Sequence, residues 1–231
     1  LNKITFIIYG ASSDVVSPIF DEFKDSEFIC LINKSKPDYL LGEILDTNQK
    51  SFLNNLENSL NRIDESSLIV YLNAAVFQKD ELFISHKKDH LEKMLEVGIN
   101  KNLSIIEVVL KEMIKRKEGR LINLSSFRSK APSKGTAIYS AVKSFNETFF
   151  NALGIEYGRF NITCNSIALG FADSKLLNNL NEEKISSFKK SISKKFFLPS
   201  DEFMLSIKFL IDSKYTNSAV LDLNGGLNYL D

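Results

Sequence analysis

Short apolar segments alternate along this chain with longer segments whose apolar residues recur at helical spacing. The short segments are rich in Ile, Val, Leu and Phe and mostly lack polar alternation, which is typical of parallel strands covered on both faces. These predicted strands are residues 4–8, 27–32, 42–45, 67–72, 119–124, 161–167 and 219–223. The predicted helices between them are residues 18–24, 48–62, 87–116, 139–159 and 201–211.

Alternating strands and helices indicate right-handed βαβ units, hence a Rossmann-like, doubly wound α/β fold with helices on both faces. We expect a mostly parallel seven-stranded sheet. The length of 231 residues suits a single domain over residues 1–231. The polar, lysine-rich segment 174–199 interrupts the pattern, and we expect a flap over the substrate at about residues 171–199.

Composition excludes several function classes. Lys+Arg and Asp+Glu balance at 29 each, so no global charge favours nucleic acid or an anionic membrane. No segment approaches the length of an apolar membrane span, and the first residues resemble a strand rather than a signal peptide. Cys30 and Cys164 lie in strand-like apolar segments, as buried thiols in a reducing compartment would. We expect a cytoplasmic protein.

Tyr139 and Lys143 lie four residues apart in one predicted helix, so their side chains share a face. A lysine ammonium beside a phenol favours the phenolate and lowers the phenol's pKa towards working pH. Tyr139 is therefore a candidate proton donor for a carbonyl under reduction. Ser126 follows a predicted strand, thirteen residues before Tyr139. These three residues form the candidate catalytic group.

This order and spacing resembles the short-chain dehydrogenases/reductases, in particular members of the 3-oxoacyl-carrier-protein reductase type. The resemblance covers residues 3–228 and includes the segment 151–170 and the Asn-Gly-Gly at 224–226. It implies that Ser126 orients the substrate carbonyl and that Tyr139 gives or takes the proton. It also implies that Lys143 lowers the tyrosine pKa and binds the nicotinamide ribose, with hydride transfer as the reaction.

The first predicted strand ends in a turn containing Gly10, Ser12 and Ser13. In a Rossmann-like fold such a turn places backbone N–H groups and a helix N-terminus against a pyrophosphate. The family pattern there is Thr-Gly-x-x-x-Gly-x-Gly, and this chain keeps only Gly10 of the three glycines. Asp14 and Val16 replace the other two. A carboxylate near a pyrophosphate is repulsive, and a valine hinders close helix–strand approach.

Pro18 adds a second departure from the family pattern. Either it lies within the first helical turn, or Ser17 caps a helix that starts one turn late. Two interpretations of the turn remain open. A dinucleotide binds through Gly10, Ser12, Ser13 and neighbouring N–H groups, or the turn is structural and no longer binds one.

The second predicted strand ends at Asn33 and Lys34, where an acidic residue would favour NAD and a basic residue favours NADP. We therefore expect NADP(H), with NAD(H) as the other possibility; a solvated turn is the alternative interpretation of these residues. The resemblance adds further cofactor-binding residues, beside Tyr139 and Lys143: Asp46, Asn73, Ala74, Gly170 and Ala172.

The family often carries an asparagine in the long helix before Ser126, where it helps to hold a water near the lysine. The resemblance aligns Gly98 with that position. Asn100 and Asn102 are nearby, but at about 100° per residue we place them roughly 160° away or further. Neither is assigned a catalytic role, and the proton relay either runs through water or is impaired.

Two charged clusters have alternative interpretations. His86 and His90 share metal-ligand spacing, but no third ligand is apparent, so a solvated helix start is expected and no metal. A lysine cluster in the predicted flap either steers an anionic or carrier-bound substrate or is a solvated face. Arg128 and Lys130 would lie at the rim of the site. The lysines are Lys184, Lys189, Lys190, Lys194 and Lys195.

The sequence predicts an NADP(H)-dependent oxidoreductase that interconverts a carbonyl and an alcohol. A 3-oxoacyl thioester and a modified sugar both remain open as substrates. By resemblance, the helices at 87–116 and 139–159 would pack against copies of themselves in a homodimer or homotetramer. The alternative is a degenerate member of the fold with a binding or regulatory role and weak or no dinucleotide binding.

Overall fold

The computed structural model describes residues 3–33, 36–172 and 181–227. Lys34, on which the prediction of NADP(H) partly rests, lies outside the described residues. The same holds for residues 173–180 of the predicted flap.

Seven strands of the described residues form one sheet in the order β3-β2-β1-β4-β5-β6-β7, and all neighbouring pairs run parallel. The predicted doubly wound sheet is confirmed, with bounds that agree within two residues. The strands are β1 (Ile4–Tyr9), β2 (Glu27–Ile32), β3 (Glu43–Asp46), β4 (Leu68–Asn73), β5 (Gly119–Ser126), β6 (Ile162–Leu169) and β7 (Val220–Leu223).

The α-helices of the described residues are α1 (Ser17–Glu22), α2 (Phe52–Leu60), α3 (Lys88–Leu95), α4 (Lys101–Arg116), α5 (Ala137–Tyr157), α6 (Glu182–Ser191) and α7 (Ser200–Asp212). The helix predicted over residues 87–116 consists of α3 and α4, joined by a π-helical turn at Glu96–Asn100. Helix α6 lies in the predicted flap. Among these described helices, none is long and apolar enough to cross a membrane.

Side chains that alternate along each central strand form two separate cores, one on each face of the sheet. In β1, for example, Ile7 packs with α2, α4 and α5, whereas Ile8 packs with α1 and α7. Burial on both faces explains why the strand sequences are almost continuously apolar. The predicted covering of both faces by helices is confirmed.

Candidate active site

The site lies at the edge of the sheet where all the parallel strands end. The strand order reverses between β1 and β4, the position at which open α/β sheets form a ligand crevice. Gly10 follows β1, Asn73 ends β4, Ser126 ends β5 and Gly170 follows β6. The fold therefore brings the predicted cofactor and catalytic residues to one edge.

The side chains of Ser126 and Tyr139 are neighbours, close enough for Ser126 to lower the pKa of the Tyr139 hydroxyl. Ser126 is nearly buried at the end of β5, and its Oγ also accepts a hydrogen bond from the Arg128 backbone N–H at 3.3 Å. Tyr139 lies in the first turn of α5. The two hydroxyls predicted to act on one substrate oxygen are thus adjacent.

Lys143 lies one turn beyond Tyr139 and is buried. Its Nζ donates a hydrogen bond to the Leu124 carbonyl oxygen at 2.7 Å. The same Nζ lies 5.9 Å from the centroid of the Tyr139 ring. The ammonium is therefore anchored to strand β5, with the tyrosine ring beside it.

Three side-chain contacts fix the segment after Ser126 against α5. Ser144 Oγ donates to the Ser129 carbonyl oxygen at 2.7 Å, and Ser129 Oγ donates to Glu147 Oε1 at 2.6 Å. At the helix start, Thr136 Oγ1 accepts from the Ser133 N–H at 3.0 Å. Since Ser129 belongs to the short 3-10 helix Phe127–Ser129, these bonds hold Ser126 and Tyr139 in register.

The pKa of Tyr139 differs from the expectation. Burial raises the pKa of the Tyr139 hydroxyl above its ordinary value; Ser126 and the charge of Arg128 lower it less than burial raises it. Arg128, rather than Lys143, is the cation that acts on the phenol. The expected net lowering by Lys143 is wrong for this arrangement, because desolvation of the phenol outweighs the influences that lower its pKa. Tyr139 is therefore protonated at neutral pH.

The pKa of Lys143 is lowered to about 8 by burial, while the Glu147 carboxylate opposes that shift. Glu147 lies four residues further along α5 and is itself buried. A buried lysine that titrates near neutral pH is typical of functional sites. The lysine and the tyrosine thus depart from their ordinary pKa values in opposite directions.

Replacing Glu147 with glutamine is expected to lower the pKa of Lys143 further below about 8, because a charge that raises it is removed. The pKa is measured by NMR titration of lysines labelled with carbon-13 at Cε, with the resonance assigned from Lys143→Met. Glu156→Gln, at an exposed position of the same helix, is the control. An unchanged or higher midpoint in Glu147→Gln would contradict this assignment of charges.

The turn after β1 is packed directly against the chain that follows β4. Gly10 has a φ of +84°, and a Cβ there would lie 2.5 Å from the Ala75 backbone nitrogen and 2.7 Å from the Ala74 carbonyl carbon. The Ala74 N–H donates to the Tyr9 carbonyl oxygen at 2.8 Å. Gly10 and Ala74, two predicted cofactor residues, therefore meet where the strand order reverses.

The start of the first helix resolves the two alternatives for Pro18. A 3-10 turn at Asp14–Val16 precedes α1, and Pro18 lies in the first turn of α1. Ser17 is the first helical residue rather than the cap, which is Val16. Val16 is fully buried in the core with Ile19, so its side chain has a packing role. Pro18 therefore lies within the first helical turn, as the first alternative proposed.

Sequence reasoning missed Tyr39, which contacts the same turn. Its hydroxyl donates to the Ala11 carbonyl oxygen at 3.2 Å, and its ring packs on Phe20 at 5.7 Å between centroids. Burial, with the nearby Asp14 charge, raises the pKa of Tyr39 to about 12. Ser12 and Ser13 are half-buried beside it. No local pattern marks Tyr39, because it comes from the irregular segment after β2.

The remaining predicted cofactor residues line the same edge. Asn33 follows β2, and its carbonyl oxygen accepts a hydrogen bond from Asn48 Nδ2 at 3.4 Å. Asp46 ends β3, is exposed, and its Oδ1 accepts from the Asn48 N–H at 2.9 Å. Asn73 is buried, and its Nδ2 donates to Asn123 Oδ1 at 3.0 Å. The Oδ1 of Asn73 has no hydrogen-bond partner.

Gly170 and Ala172 connect β6 to the flap. The Gly170 N–H donates to the Leu223 carbonyl oxygen at 3.0 Å, and Ala172 forms a bridge with Leu198. Gly170, Phe171 and Phe196 are among the residues that line a cavity of about 230 Å³. Ala172 also faces Asp14 across a small cleft. The flap residues that the structure describes therefore adjoin the predicted nicotinamide end.

An aromatic cluster joins α6 to the segment beside Ser126. The Phe188 ring stacks on Phe171 with 4.5 Å between centroids, and Phe171 packs on Phe127 at 5.4 Å. Phe127 directly follows Ser126. The position of α6 is thus coupled by packing to the segment beside the candidate catalytic serine.

Lys130, predicted to lie at the rim of the site, forms an ion pair with Asp222. Its Nζ lies 2.8 Å from both carboxylate oxygens of Asp222. Of the flap lysines, Lys189 lies over the Phe197 ring at 5.4 Å, and Lys195 Nζ donates to the Lys190 carbonyl oxygen at 2.7 Å. The predicted steering of an anion therefore depends more on the flap than on Lys130.

The expectation for Asn102 is wrong. Gly98 lies in the π turn as aligned, but Asn102 is fully buried and its Nδ2 donates to Asn146 Oδ1 at 2.8 Å. Four residues complete about one helical turn, so Asn102 returns to the face of Gly98. Asn100 behaves as expected, since its side chain bonds Glu96 at an exposed position.

The two histidines are more enclosed than a solvated helix start would allow. The side chain of His86 is only 3 % exposed, and the Nδ1 atoms of His86 and His90 each lie 3.7 Å from Glu81 Oε2. The expectation of a solvated His86 is wrong, because its side chain is enclosed and lies near the Glu81 carboxylate. Among the described residues, no group of three His, Cys, Asp or Glu side chains is arranged to hold a metal ion.

Comparison with known proteins agrees with this geometry. A model of the short chain dehydrogenase family matches residues 44–185, more than half of the chain. The match includes Ser126, Tyr139 and Lys143 and begins after the Gly10 turn.

Among curated relatives, the 3-oxoacyl-(acyl-carrier-protein) reductase of Rickettsia typhi is 27 % identical over 197 residues, covering 84 % of this chain and 79 % of the relative. Carbonyl reductase family member 4 of Xenopus laevis is 28 % identical over 172 residues, which cover 74 % of this chain and 70 % of the relative.

Solved structures share the fold at lower identity. ElxO with NADP bound superposes with a TM-score of 0.85 at 18 % identity over 98 % of both chains. The 3-oxoacyl-(acyl-carrier protein) reductase of Brucella melitensis has a TM-score of 0.82 at 18 % identity, over 100 % of this chain and 92 % of the other. With the family match and the arrangement of Ser126, Tyr139 and Lys143, this chain belongs to the short chain dehydrogenase family.

Proposed function

We propose that this protein is an NADP(H)-dependent reductase that converts a carbonyl group to an alcohol, and that it runs the reverse reaction at higher pH. The observation that carries the proposal is the placement of Tyr139 beside Ser126, with Lys143 buried one turn away. The same three residues are the ones that the family resemblance implies.

The turn at Gly10 keeps the close backbone packing that a dinucleotide-binding turn has after the first strand. A Cβ at Gly10 would fill the space against Ala74 and Ala75, so the close approach of the two segments requires glycine. The unpartnered Oδ1 of Asn73 provides an acceptor at the same edge. Residues proposed to hold the cofactor are Gly10, Ser12, Ser13, Asn33, Lys34, Asp46, Asn73, Ala74, Tyr139, Lys143, Gly170 and Ala172.

NADP(H) supplies or accepts the hydride; the protein manages the proton and the substrate oxygen. Because burial raises its pKa, Tyr139 holds its proton at neutral pH and can give it to the oxygen of a carbonyl under reduction. Ser126 donates a second hydrogen bond to that oxygen. The charge of Arg128 stabilises the phenolate when the proton has left. Lys143, one turn further along α5, is proposed to bind the nicotinamide ribose. Alcohol oxidation needs a deprotonated Tyr139 and is therefore favoured by alkaline pH.

Three features support NADP(H) over NAD(H). Neither Asn33 nor Lys34 is acidic, whereas an acidic residue at this position would bind an unphosphorylated ribose. ElxO, which shares the fold, was solved with NADP bound. The curated relatives include several 3-oxoacyl-(acyl-carrier-protein) reductases.

A 3-oxoacyl thioester is the substrate class that we favour. Curated relatives include an acetoacetyl-CoA reductase of Allochromatium vinosum, 29 % identical over 160 residues. Such substrates carry phosphate on their pantetheine arm, to which the lysines of α6 offer positive charge. We further propose that the chain is one domain with a flap at about residues 171–199. A homodimer or homotetramer and a cytoplasmic location remain predictions.

Consumption of NADPH in the presence of a short 3-oxoacyl thioester tests this function. We expect the absorbance of NADPH to fall in step with formation of the 3-hydroxyacyl product, and to fall more slowly with NADH at equal concentration. A modified ketosugar at the same concentration is the competing substrate. If neither compound supports consumption of NADPH or NADH, the proposed activity is wrong and a binding role becomes the better account.

A further inference from the structure

A π-helical turn lies between α3 and α4, and side chains from outside the helix bind its carbonyl groups. In this turn the Lys101 N–H bonds the Glu96 carbonyl oxygen, five residues back, so neighbouring carbonyls lose their regular partners. The Tyr9 hydroxyl donates to the Val97 carbonyl oxygen at 2.9 Å. Asn146 Nδ2 donates to the Gly98 carbonyl oxygen at 2.9 Å. The turn is thus tied to β1 on one side and to α5 on the other.

The direction of every hydrogen bond in this group follows from two backbone carbonyls. Asn146 Nδ2 contacts the carbonyl oxygens of Gly98 and Val142, which can only accept, so the Asn146 amide has one orientation. Its Oδ1 must then accept from Asn102 Nδ2, at 2.8 Å. Asn102 Oδ1 in turn accepts from the Tyr71 hydroxyl at 2.6 Å. The chain of bonds runs from β4 through α4 to α5.

All the side chains of this chain of bonds are buried. Tyr71 and Asn102 have no exposed surface, and Asn146 is 2 % exposed. Buried amides without partners are costly, so a fully bonded pair in the core fixes the spacing of the two helices. The π turn and α5 are in close contact here, since a Cβ on Gly98 would lie 2.4 Å from Val142 Cγ1. An asparagine at position 98 would not fit unless the Val142 side chain moved.

We propose that Asn102 and Asn146 are positioning residues that hold the π turn against α5 and thereby set the position of Lys143. Asn146 lies three residues beyond Lys143, on nearly the same face of α5. The backbone segment 142–146 that carries Lys143 is the segment that Asn146 fastens to Gly98. This inference rests on the proposed function only for its effect on turnover.

The asparagine pair affects the pKa of Lys143 by keeping water away from its ammonium group. Its Nζ is buried on the Leu124 carbonyl oxygen, and its pKa is about 8 because burial disfavours the charge. If α5 separates from the π turn, water reaches the ammonium and the pKa rises towards the ordinary 10.5. Geometry at Lys143 and its protonation therefore both depend on the asparagine pair.

The test is the NMR titration of Lys143 in Asn146→Leu, a substitution of similar volume that cannot bond Gly98. We expect the midpoint to rise by about one pH unit from the wild-type value near 8. In turnover assays kcat should fall roughly 10- to 100-fold, with a smaller change in the KM for NADPH. Asn102→Leu, which removes the donor to Asn146 without changing α5, should shift the midpoint in the same direction.

Asn151→Leu is the matched control, because Asn151 lies about one and a half turns beyond Asn146 on α5 and its Oδ1 has no hydrogen-bond partner. It should leave the Lys143 midpoint unchanged. If either Asn146→Leu or Asn102→Leu folds and its Lys143 still titrates at the wild-type midpoint, the proposal is overturned. One folded variant is enough for this test. If the wild-type protein reduces no carbonyl but the midpoint still shifts, the proposed function fails and the positioning role stands.

Discussion

Replacing Tyr139 with phenylalanine is expected to lower turnover roughly 100- to 10,000-fold, the usual contribution of a positioned proton donor. The change removes the proton and the hydroxyl that lies beside Ser126 but keeps the ring beside Lys143. NADPH binding should stay within about threefold of wild type, because a single neutral hydrogen bond contributes little net free energy. Initial rates with a 3-oxoacyl thioester and a fluorescence titration with NADPH measure the two effects.

Tyr157→Phe is the matched control, since Tyr157 ends the same helix and its ring packs near Phe160, far along α5 from Ser126. It should leave the rate unchanged. Turnover by Tyr139→Phe at a tenth of the wild-type rate or more would remove Tyr139 as the proton donor. Loss of NADPH binding in the same variant would show instead that the tyrosine acts mainly through the cofactor.

Replacing Gly10 with alanine is expected to destabilise the protein by roughly 2 to 4 kcal/mol, from a left-handed backbone and an overpacked contact. The contact cannot relax through a rotamer, because the atoms within 2.7 Å of the new Cβ belong to the Ala74–Ala75 backbone. A shift of the turn should also weaken NADPH binding at least about tenfold, which corresponds to about 1.4 kcal/mol. Denaturant unfolding and NADPH titration measure these effects.

Gly135→Ala is the control that separates the cost of backbone strain at a positive φ from the cost of the close contact at Gly10. Gly135 also has a positive φ, of +87°, but the nearest atom to a new Cβ lies 3.5 Å away. This variant should lose only about 1 to 2 kcal/mol. If Gly10→Ala and Gly135→Ala lower the free energy of unfolding equally, the Ala74–Ala75 backbone moves easily to accommodate a Cβ at position 10. The Gly10 turn would then not be rigid.

The sequence predicted the sheet well because its strands are buried on both faces. Residues such as Ile7 and Ile8 point to opposite cores, so each strand needs apolar side chains at consecutive positions. This signal is local and strong. The alternation of strands and helices predicted parallel pairing, but the order of the strands was not predicted and comes from the structure.

The π turn was not predictable from periodicity. It depends on the close contact between Gly98 and Val142 and on donors from β1 and α5, all distant in sequence. Asn102 was misplaced for a simpler reason, since four residues return to the same helical face. Had that spacing been counted correctly, its burial would have been predictable, although its partner Asn146 would not.

The electrostatics of the site were only partly predictable. The pairing of Tyr139 with Lys143 on one helix face follows from their spacing. The opposite pKa directions of the two groups do not, because they depend on burial by the rest of the fold and on Arg128 and Glu147. The enclosure of His86 was likewise not predictable, because no local sequence pattern shows that its side chain is buried near Glu81.

Binding of NADPH is the measurement that tests the central claim most directly. A titration followed by NADPH fluorescence, with melting temperature as a second readout, compares NADPH with NADH on the wild-type protein. We predict saturable binding of NADPH below millimolar concentration and weaker binding of NADH. Tight binding of NADH without NADPH would overturn the argument from Asn33 and Lys34. If neither binds at millimolar concentration, the turn at Gly10 no longer holds a dinucleotide, and the account of this protein as a reductase is contradicted.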